Sequence, residues 1–416
     1  MKRINKLLYF MYPIRDAFGL MVGSVPFRLS EIFSVVYAFF MLRYKKNSHF
    51  GNIDKRTKNI MLLLILNLIL TLLVTYSHSE SVEMDFFYKY ILRNALTIFI
   101  IFSVLNINVA YDSKLIVWGM KWNIVLQILF AIIFFGLSMR IFMNHPMSIW
   151  DIQTAGYGNV KLPRFAGSSS EAGYLGPLLS IPLYYFMYNY KNNIIWLLAC
   201  SLLLLVSLST SNYFIIFLTA SAILYKKNRK SFFKILLFGI IGLVLCISIT
   251  LFFFKDTLFG VILLSNFDKL LGYLSFGAYG SVDWSASDRL EHLAAATGLF
   301  VDGNFIDVIF GRGTGAYSFF AMHNTSLLVQ TVEEAYNIYL STLTDRGAVG
   351  LVIFIMIYYN IYKMKSDNVM SDALWFGLAI QLVHYMIVGN MWLYYVWHEV
   401  LFLIGYEKYL YLKRKQ

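Results

Sequence analysis

The stretch KRTKNIMLLLILNLILTLLVTYSHSESVEMD, residues 55–85, decides the fold class. Lys55, Arg56 and Lys58 open it, no charged side chain follows until Glu80, and Glu83 and Asp85 close it. About 20 consecutive apolar residues suffice to cross the hydrocarbon core of a bilayer. A basic start and an acidic finish orient such a span, because lysine and arginine are retained on the cytoplasmic side.

The same grammar repeats along the 416 residues, of which 59% are hydrophobic and 14% charged. A soluble domain carries about a quarter charged residues, and the mean hydropathy here is +0.63. Reading for apolar runs predicts about 12 transmembrane helices. They lie near 7–26, 28–43, 58–77, 88–108, 114–137, 172–190, 193–209, 212–225, 234–254, 336–361, 369–389 and 391–411. The expected fold is an all-α polytopic membrane protein, one membrane-embedded domain over 1–416. Roughly two thirds of the basic residues fall on or beside one set of loops, which places both termini in the cytoplasm. The basic N-terminus MKRINKLLYF has no small-residue cleavage site and reads as the retained start of the first segment.

Two segments on the outer side exceed simple turns, about 138–171 and 255–335, and loops of that length are usually functional. The second is expected to contain short helices. The net charge of +12 follows from the loop bias, without the basic groove or motif of a nucleic-acid binder. Cys200 and Cys246 lie within apolar runs, so neither a disulfide nor a metal site is expected from them. Zinc-binding H-E-x-x-H, the G-x-S-x-G elbow and a Walker A lysine are all missing from the sequence.

The outer segments hold most of the unusual chemistry. LPRFAGSSSEAGYLG (162–176) sets Arg164 and Glu171 at a hydrophobic threshold, among glycines and serines that read as a flexible rim. In SASDRLEHLAAATGLF (285–300), Ser287 is expected to cap a helix on which Arg289 and His292 share a face. Its amphipathic remainder suits a membrane surface or packing over the spans. GRGTG (311–315) reads either as a plain turn or as a loop whose backbone N–H groups meet an anion. Glu333, Glu334, Tyr336 and Asn337 stand where the chain re-enters the membrane, and Asp345, Arg346 and Gly347 interrupt the span that follows. Arginine stays charged and binds phosphate through two parallel donors, so Arg164, Arg289 and Arg312 are candidate phosphate ligands.

Three of these stretches, in order, resemble the motifs of a bacterial family. RFAGSSSEAGYLGP resembles "R-x-x-G … E-P-S-x-x-G". SASDRLEHLAAATGLFVDGNFIDVIFGRGTGAYSFF resembles "S-x-x-x-R … G-x-G-x-x-x-F". EAYNIYLSTLTDRGAVGLVIF resembles "H-N-x-Y-L-x-x-L-x-E-x-G-x-x-G". Over roughly 160–355 the chain looks like a member of the O-antigen ligase/polymerase family. It departs at Tyr336, where relatives place histidine, at Ala172-Gly173 for Pro-Ser, at Asp345 for the usual acid, and in STSNYFI (209–215), which lacks an arginine.

The resemblance implies a glycosyltransferase of the bacterial inner membrane, its site facing the periplasm or cell exterior. Its substrates would be undecaprenyl-pyrophosphate-linked glycans, and its product a surface polysaccharide: O antigen, capsule or exopolysaccharide. It implies an inverting reaction with no cofactor, metal or nucleotide sugar. Arg164, Arg289 and Arg312 would hold the pyrophosphate, Glu171, Glu334 or His323 would deprotonate the acceptor hydroxyl, and Tyr336 and Asn337 would touch substrate. Implied partners are the bilayer, a chain-length regulator and a flippase, and no nucleic acid. Two alternatives are an O-antigen ligase that transfers glycan to the lipid A core and a lipid-linked oligosaccharide flippase. The E-x-G-Y-x-G stretch and the missing histidine favour polymerase over ligase. The concentration of polar residues in outer loops argues against a transporter.

Overall fold

A computed structural model describes residues 6, 10–14, 19–22, 25–43, 55–105, 112–136, 154–157, 160–169, 171–257, 260–261, 263–268, 284–324, 327, 335–386 and 394–415. Helices dominate them. In chain order they are α1 (Leu29–Arg43), α2 (Lys55–Ser77), α3 (Met84–Leu105), α4 (Ser113–Gly136), α5 (Leu175–Tyr188), α6 (Tyr190–Val206), α7 (Thr210–Lys227), α8 (Phe232–Ile249), α9 (Trp284–Val301), α10 (Phe305–Phe310), α11 (Ala316–His323), α12 (Ile338–Met364), α13 (Val369–His384) and α14 (Tyr394–Lys415). Three are long and apolar enough to cross a membrane: Lys55–Ser77, Ser113–Ile133 within α4, and Ile338–Met364.

Each apolar run from 28 onward coincides with a helix, but the run at 7–26 does not. There the chain forms a 3-10 turn at Tyr12–Ile14 and paired strands β1 (Gly19–Val22) and β2 (Val25–Arg28). Pro13 and Pro26 lack the N–H a helix needs, and Gly19 and Gly23 favour turns over helix. A second hairpin, β3 (Thr154–Tyr157) with β4 (Val160–Pro163), pairs antiparallel inside the first long segment.

The expectation of one domain over 1–416 meets two compact units. The first comprises Met1–Tyr12, Leu20–Ile116 and Asp288–Gln416, and the second Pro13–Gly19 and Val117–Ser287. In the first, α2 packs along α12, α1 along α3, and α13 along α14. Helix α2 is patterned inside out. Asn67, Thr71 and Thr75 are 1% exposed or less, whereas Leu62 and Leu73 are 57% and 67% exposed. Water would punish that arrangement; hydrocarbon solvates the leucines and leaves polar groups to pair within the bundle.

Polar burial recurs elsewhere in this unit. Tyr12 donates to Glu399 Oε1 at 2.5 Å, Gln381 Nε2 donates to the same oxygen at 3.2 Å, and His398 pairs with Ser34 at 2.7 Å. Buried polar side chains therefore run through many helices. This corrects the reading that they concentrate in the outer loops.

In the second unit, α5 packs between α6 and α7. Pro182 lies inside α5 and cannot donate to the carbonyl four residues back. That carbonyl, of Leu178, instead accepts from Asn123 Nδ2 of α4 at 3.1 Å. One polar side chain thus satisfies the group that one proline orphaned.

Candidate functional site

The first unit gathers its chemistry where α9, α11 and the start of α12 meet. Ala296, Leu299, Tyr317, Ala321, Leu327 and Ala335 form a small apolar core, with Tyr336 and Leu340 against it. The amphipathic stretch of α9 therefore packs over its neighbours. The helix begins at Trp284, so Ser287 is not its cap, a correction to the expected start.

This shift gives Asp288 another task. One helical turn on, it faces His292 Nε2 at 3.4 Å, and both are buried. His292 Nδ1 meets the Tyr317 hydroxyl at 2.6 Å, and that hydroxyl also lies 3.1 Å from the His292 carbonyl. Burial pushes the Tyr317 phenol above its ordinary value, and nearby Tyr336, Asp288 and Glu291 add to this. The Asp288–His292–Tyr317 chain thus ties α9 to α11 with a protonated phenol at its end.

The shared face expected of Arg289 and His292 is formed. The Arg289 guanidinium lies 5.5 Å from the Tyr336 ring centre, and the His292 ring meets the same tyrosine edge-on at 5.6 Å. Arg289 and Tyr336 are half-buried, the histidine behind them fully so. A planar cation over an aromatic face, backed by a fixed imidazole, suits an anionic group with a sugar attached. Asp288, His292 and Tyr317 were not among the predicted site residues; the i,i+4 spacing of Asp288 and His292 was the available signal.

Asn337 caps α12: its Oδ1 accepts from Leu340 N at 3.0 Å, and its Nδ2 donates to the Met386 carbonyl at 3.1 Å. Its amide is engaged in structure on both sides. His323 ends α11, exposed, with Nδ1 2.7 Å from the Phe319 carbonyl. Glu334, with Glu333, lies outside the described residues.

The GRGTG loop takes the turn reading rather than the anion reading. Four of its five amides are occupied: Gly311 N by Asp307 O, Arg312 N by Thr344 O at 2.8 Å, Gly313 N by Asp345 O at 2.9 Å, and Thr314 N by Thr75 Oγ1 at 2.9 Å. The acceptors at 344 and 345 precede Gly347, whose φ of +63° breaks α12 as expected. The loop clasps that break to the end of α2. Arg312 pairs with Asp307 at 3.3 Å, and His78 reaches the same carboxylate at 3.5 Å. Arg312 is therefore engaged in a local ion pair.

In the second unit, Arg164 follows β4, half-buried, and Phe165 beside it is wholly buried. The adjoining turn is not a flexible rim. Gln127 Oε1 accepts from Ser168 N at 2.9 Å, and Gln127 Nε2 donates to Ser168 Oγ at 2.9 Å and to the Pro13 carbonyl at 3.1 Å. Ser168 and Ser169 are buried, and Gly167 (φ +63°) approaches Gln127 so closely that a Cβ would lie 2.3 Å from its Oε1. Glu171 precedes a 3-10 turn at Ala172–Tyr174, and its side chain makes no cap there. The turn is held instead by Asn212, whose Nδ2 donates to the Ala172 carbonyl and to Ser207 Oγ, both at 2.8 Å. Asn212 lies in the stretch 209–215.

Among the described residues, no cluster of three or more His, Cys, Asp or Glu could hold a metal ion. No protein-family model matches the sequence, and no curated protein matches it significantly.

Proposed function

We propose that this protein is a membrane glycosyltransferase that polymerises undecaprenyl-pyrophosphate-linked oligosaccharide repeat units into a surface polysaccharide. The observation that carries the reading is the Arg289–Tyr336 pair, backed by the buried Asp288–His292–Tyr317 chain. It offers a fixed bidentate cation beside an aromatic face. In the reaction the acceptor hydroxyl oxygen attacks the anomeric carbon, the bond to phosphate breaks, and the electron pair leaves on the pyrophosphate. Arg289 neutralises that developing charge, the kind of preorganised electrostatics that is usually the largest catalytic contribution. A carboxylate or a histidine takes the hydroxyl proton.

With this reading goes a polytopic membrane domain with 138–171 and 255–335 on its outer face. The reaction inverts at the anomeric carbon and uses neither metal nor cofactor. A flippase supplies the repeats and a chain-length regulator acts on the product. Incubating purified protein with lipid-linked repeats and resolving products by size tests it. A ladder of lipid-linked polymer is expected, and unchanged single repeats with active protein would overturn it.

A second reading, a flippase for lipid-linked oligosaccharides, draws support from the buried polar residues spread through the helices, Asn67, Gln127, Gln381 and Glu399 among them. Polymer formed in detergent, with no second compartment, separates polymerisation from transport. Transfer to a lipid A core instead of another repeat identifies the ligase.

A further inference from the structure

The stretch YKKNRKSFFK (225–234) joins α7 to α8 in the second unit and meets the turn between α5 and α6. Lys227 Nζ donates to the Tyr188 carbonyl at 2.7 Å, and lies 4.3 Å from the Tyr188 ring centre and 5.6 Å from that of Tyr190. The Arg229 guanidinium lies 5.5 Å from the Tyr225 ring centre, and that ring meets Phe232 edge-on at 5.3 Å. Lys191, Lys227, Arg229, Lys230 and Lys234 are all exposed, so five cations share one end of this unit.

The carboxylates among the unit's described residues stand at the opposite end. No Asp or Glu occurs between Glu171 and Asp256. Glu171 precedes the start of α5, where Asn212 near the start of α7 holds the Ala172 carbonyl. Asp268 is two residues from Asn266, which accepts from Thr210 Oγ1 at the α7 start at 2.7 Å. Asp256 follows the far end of α8. At 1.5 Å per residue, the 18 residues of α7 set the two ends about 27 Å apart. Membrane orientation alone does not demand such separation. Retention of lysine and arginine on one side is indifferent to nearby carboxylates. Elsewhere the chain supplies them, as where Lys365 pairs with Asp372 at 2.6 Å.

What borders the cations names their partner. Phe233 is 74% exposed beside Lys234, and Ile195 is 75% exposed one helical turn after Lys191. Apolar side chains facing outward directly next to the charges set this end at the rim of a hydrocarbon layer, with the basic groups at headgroup level. A soluble acidic partner would need no such apolar rim. We infer that this end of the second unit is a docking surface for the headgroups of anionic phospholipids, gathered around Lys191, Lys227, Arg229, Lys230 and Lys234. The surface does not depend on the glycosyltransferase reading.

The test reconstitutes the full chain in phosphatidylcholine bilayers with one added reporter, Phe233→Trp, read as the difference from the protein with its eight native tryptophans alone. A minor share of the lipid is replaced by acyl-brominated phosphatidylglycerol or, in parallel, acyl-brominated phosphatidylcholine, whose bromine quenches an adjacent indole. The anionic lipid should be preferred at position 233 about fivefold or more, the worth of a single cation near the surface. High salt should erase the preference. Arg229→Gln/Lys230→Gln/Lys234→Gln, at exposed positions, should bring the two lipids close to parity. A second reporter, Phe252→Trp, lies beyond the far end of α8, close to both Lys255 and Asp256, and is 83% exposed in the native residue. It should show no preference, and equal quenching of it in the triple variant confirms that the variant is folded and inserted. Equal quenching by the two lipids at 233, a preference that the triple variant keeps, or the same preference at 252 overturns the surface. Equal quenching at 233 together with an emission shift on adding soluble poly-glutamate assigns the patch to an acidic protein segment and overturns the lipid.

Discussion

Substituting Gly311 by alanine should unlatch the GRGTG clasp. Gly311 has φ +85° and ψ −179°, a region nearly closed to other residues, and occupying it costs about 1–3 kcal/mol. An added Cβ would lie 2.3 Å from Arg346 N and Asp345 C and 2.4 Å from Asp345 O. These are backbone atoms of a packed helix break, so they cannot rotate aside. The loop must retreat, stretching the bonds from Arg312 N to Thr344 O and from Gly313 N to Asp345 O, each worth about 1 kcal/mol. The sum is about 3–5 kcal/mol of destabilisation, a large share of the stability of a typical protein. Denaturant titration in mixed micelles, followed by tryptophan fluorescence, measures it. Gly298→Ala is the control: its added Cβ would touch nothing within 4 Å in the middle of α9. It should stabilise by about 0.5–1 kcal/mol. If Gly311→Ala unfolds within about 0.5 kcal/mol of wild type, the ordinary range for surface changes, the clasp is not a structural element.

Asn123→Leu should cost about 1–3 kcal/mol in the same titration, because the Leu178 carbonyl freed by Pro182 loses its donor. Tyr317→Phe should cost a similar amount by leaving His292 Nδ1 without its 2.6 Å partner. Because the Tyr317 phenol is raised above its ordinary value near 10, the unfolded chain loses that proton first, so its stabilisation is full below about pH 10 and lost above it. The phenylalanine variant should lose less stability across that alkaline range than wild type, seen as a shallower fall in unfolding midpoint. Under the proposed function, Arg289→Lys should lower the polymerisation rate about tenfold or more with folding intact, because the ammonium lacks the planar fork that lies over Tyr336. Unimpaired polymer synthesis by that variant removes Arg289 from the mechanism.

Much of the architecture was legible because membrane helices announce themselves locally. An apolar run of sufficient length, bounded by charge, becomes a helix whatever it packs against, as Lys55–Ser77 and Ile338–Met364 did. The helix break at Gly347 and the common face of Arg289 and His292 were legible for the same reason, since backbone freedom and helical spacing are local properties. The run at 7–26 misled because its hydropathy said helix while its prolines and glycines said otherwise. The start of α9 was misplaced because Ser287 carries a cap's chemistry without occupying a cap's position.

The candidate site depended far more on distant partners. Gly311 reads alike as an anion cradle and as a tight turn; the nearness of Thr344 and Asp345 chose between them. Ser168 looked like part of a mobile rim until Gln127, 41 positions away, was found to hold it. Asn212 carried no signal of its own in the sequence and proved to anchor the turn after Glu171. The sequence by itself determined which segments are helical and apolar, because that choice is made residue by residue against water or lipid. Only the tertiary structure decided which polar groups are already engaged and which are left to meet a ligand. A hydrogen bond is settled by the position of its partner, and in this chain the partner commonly lies on another helix.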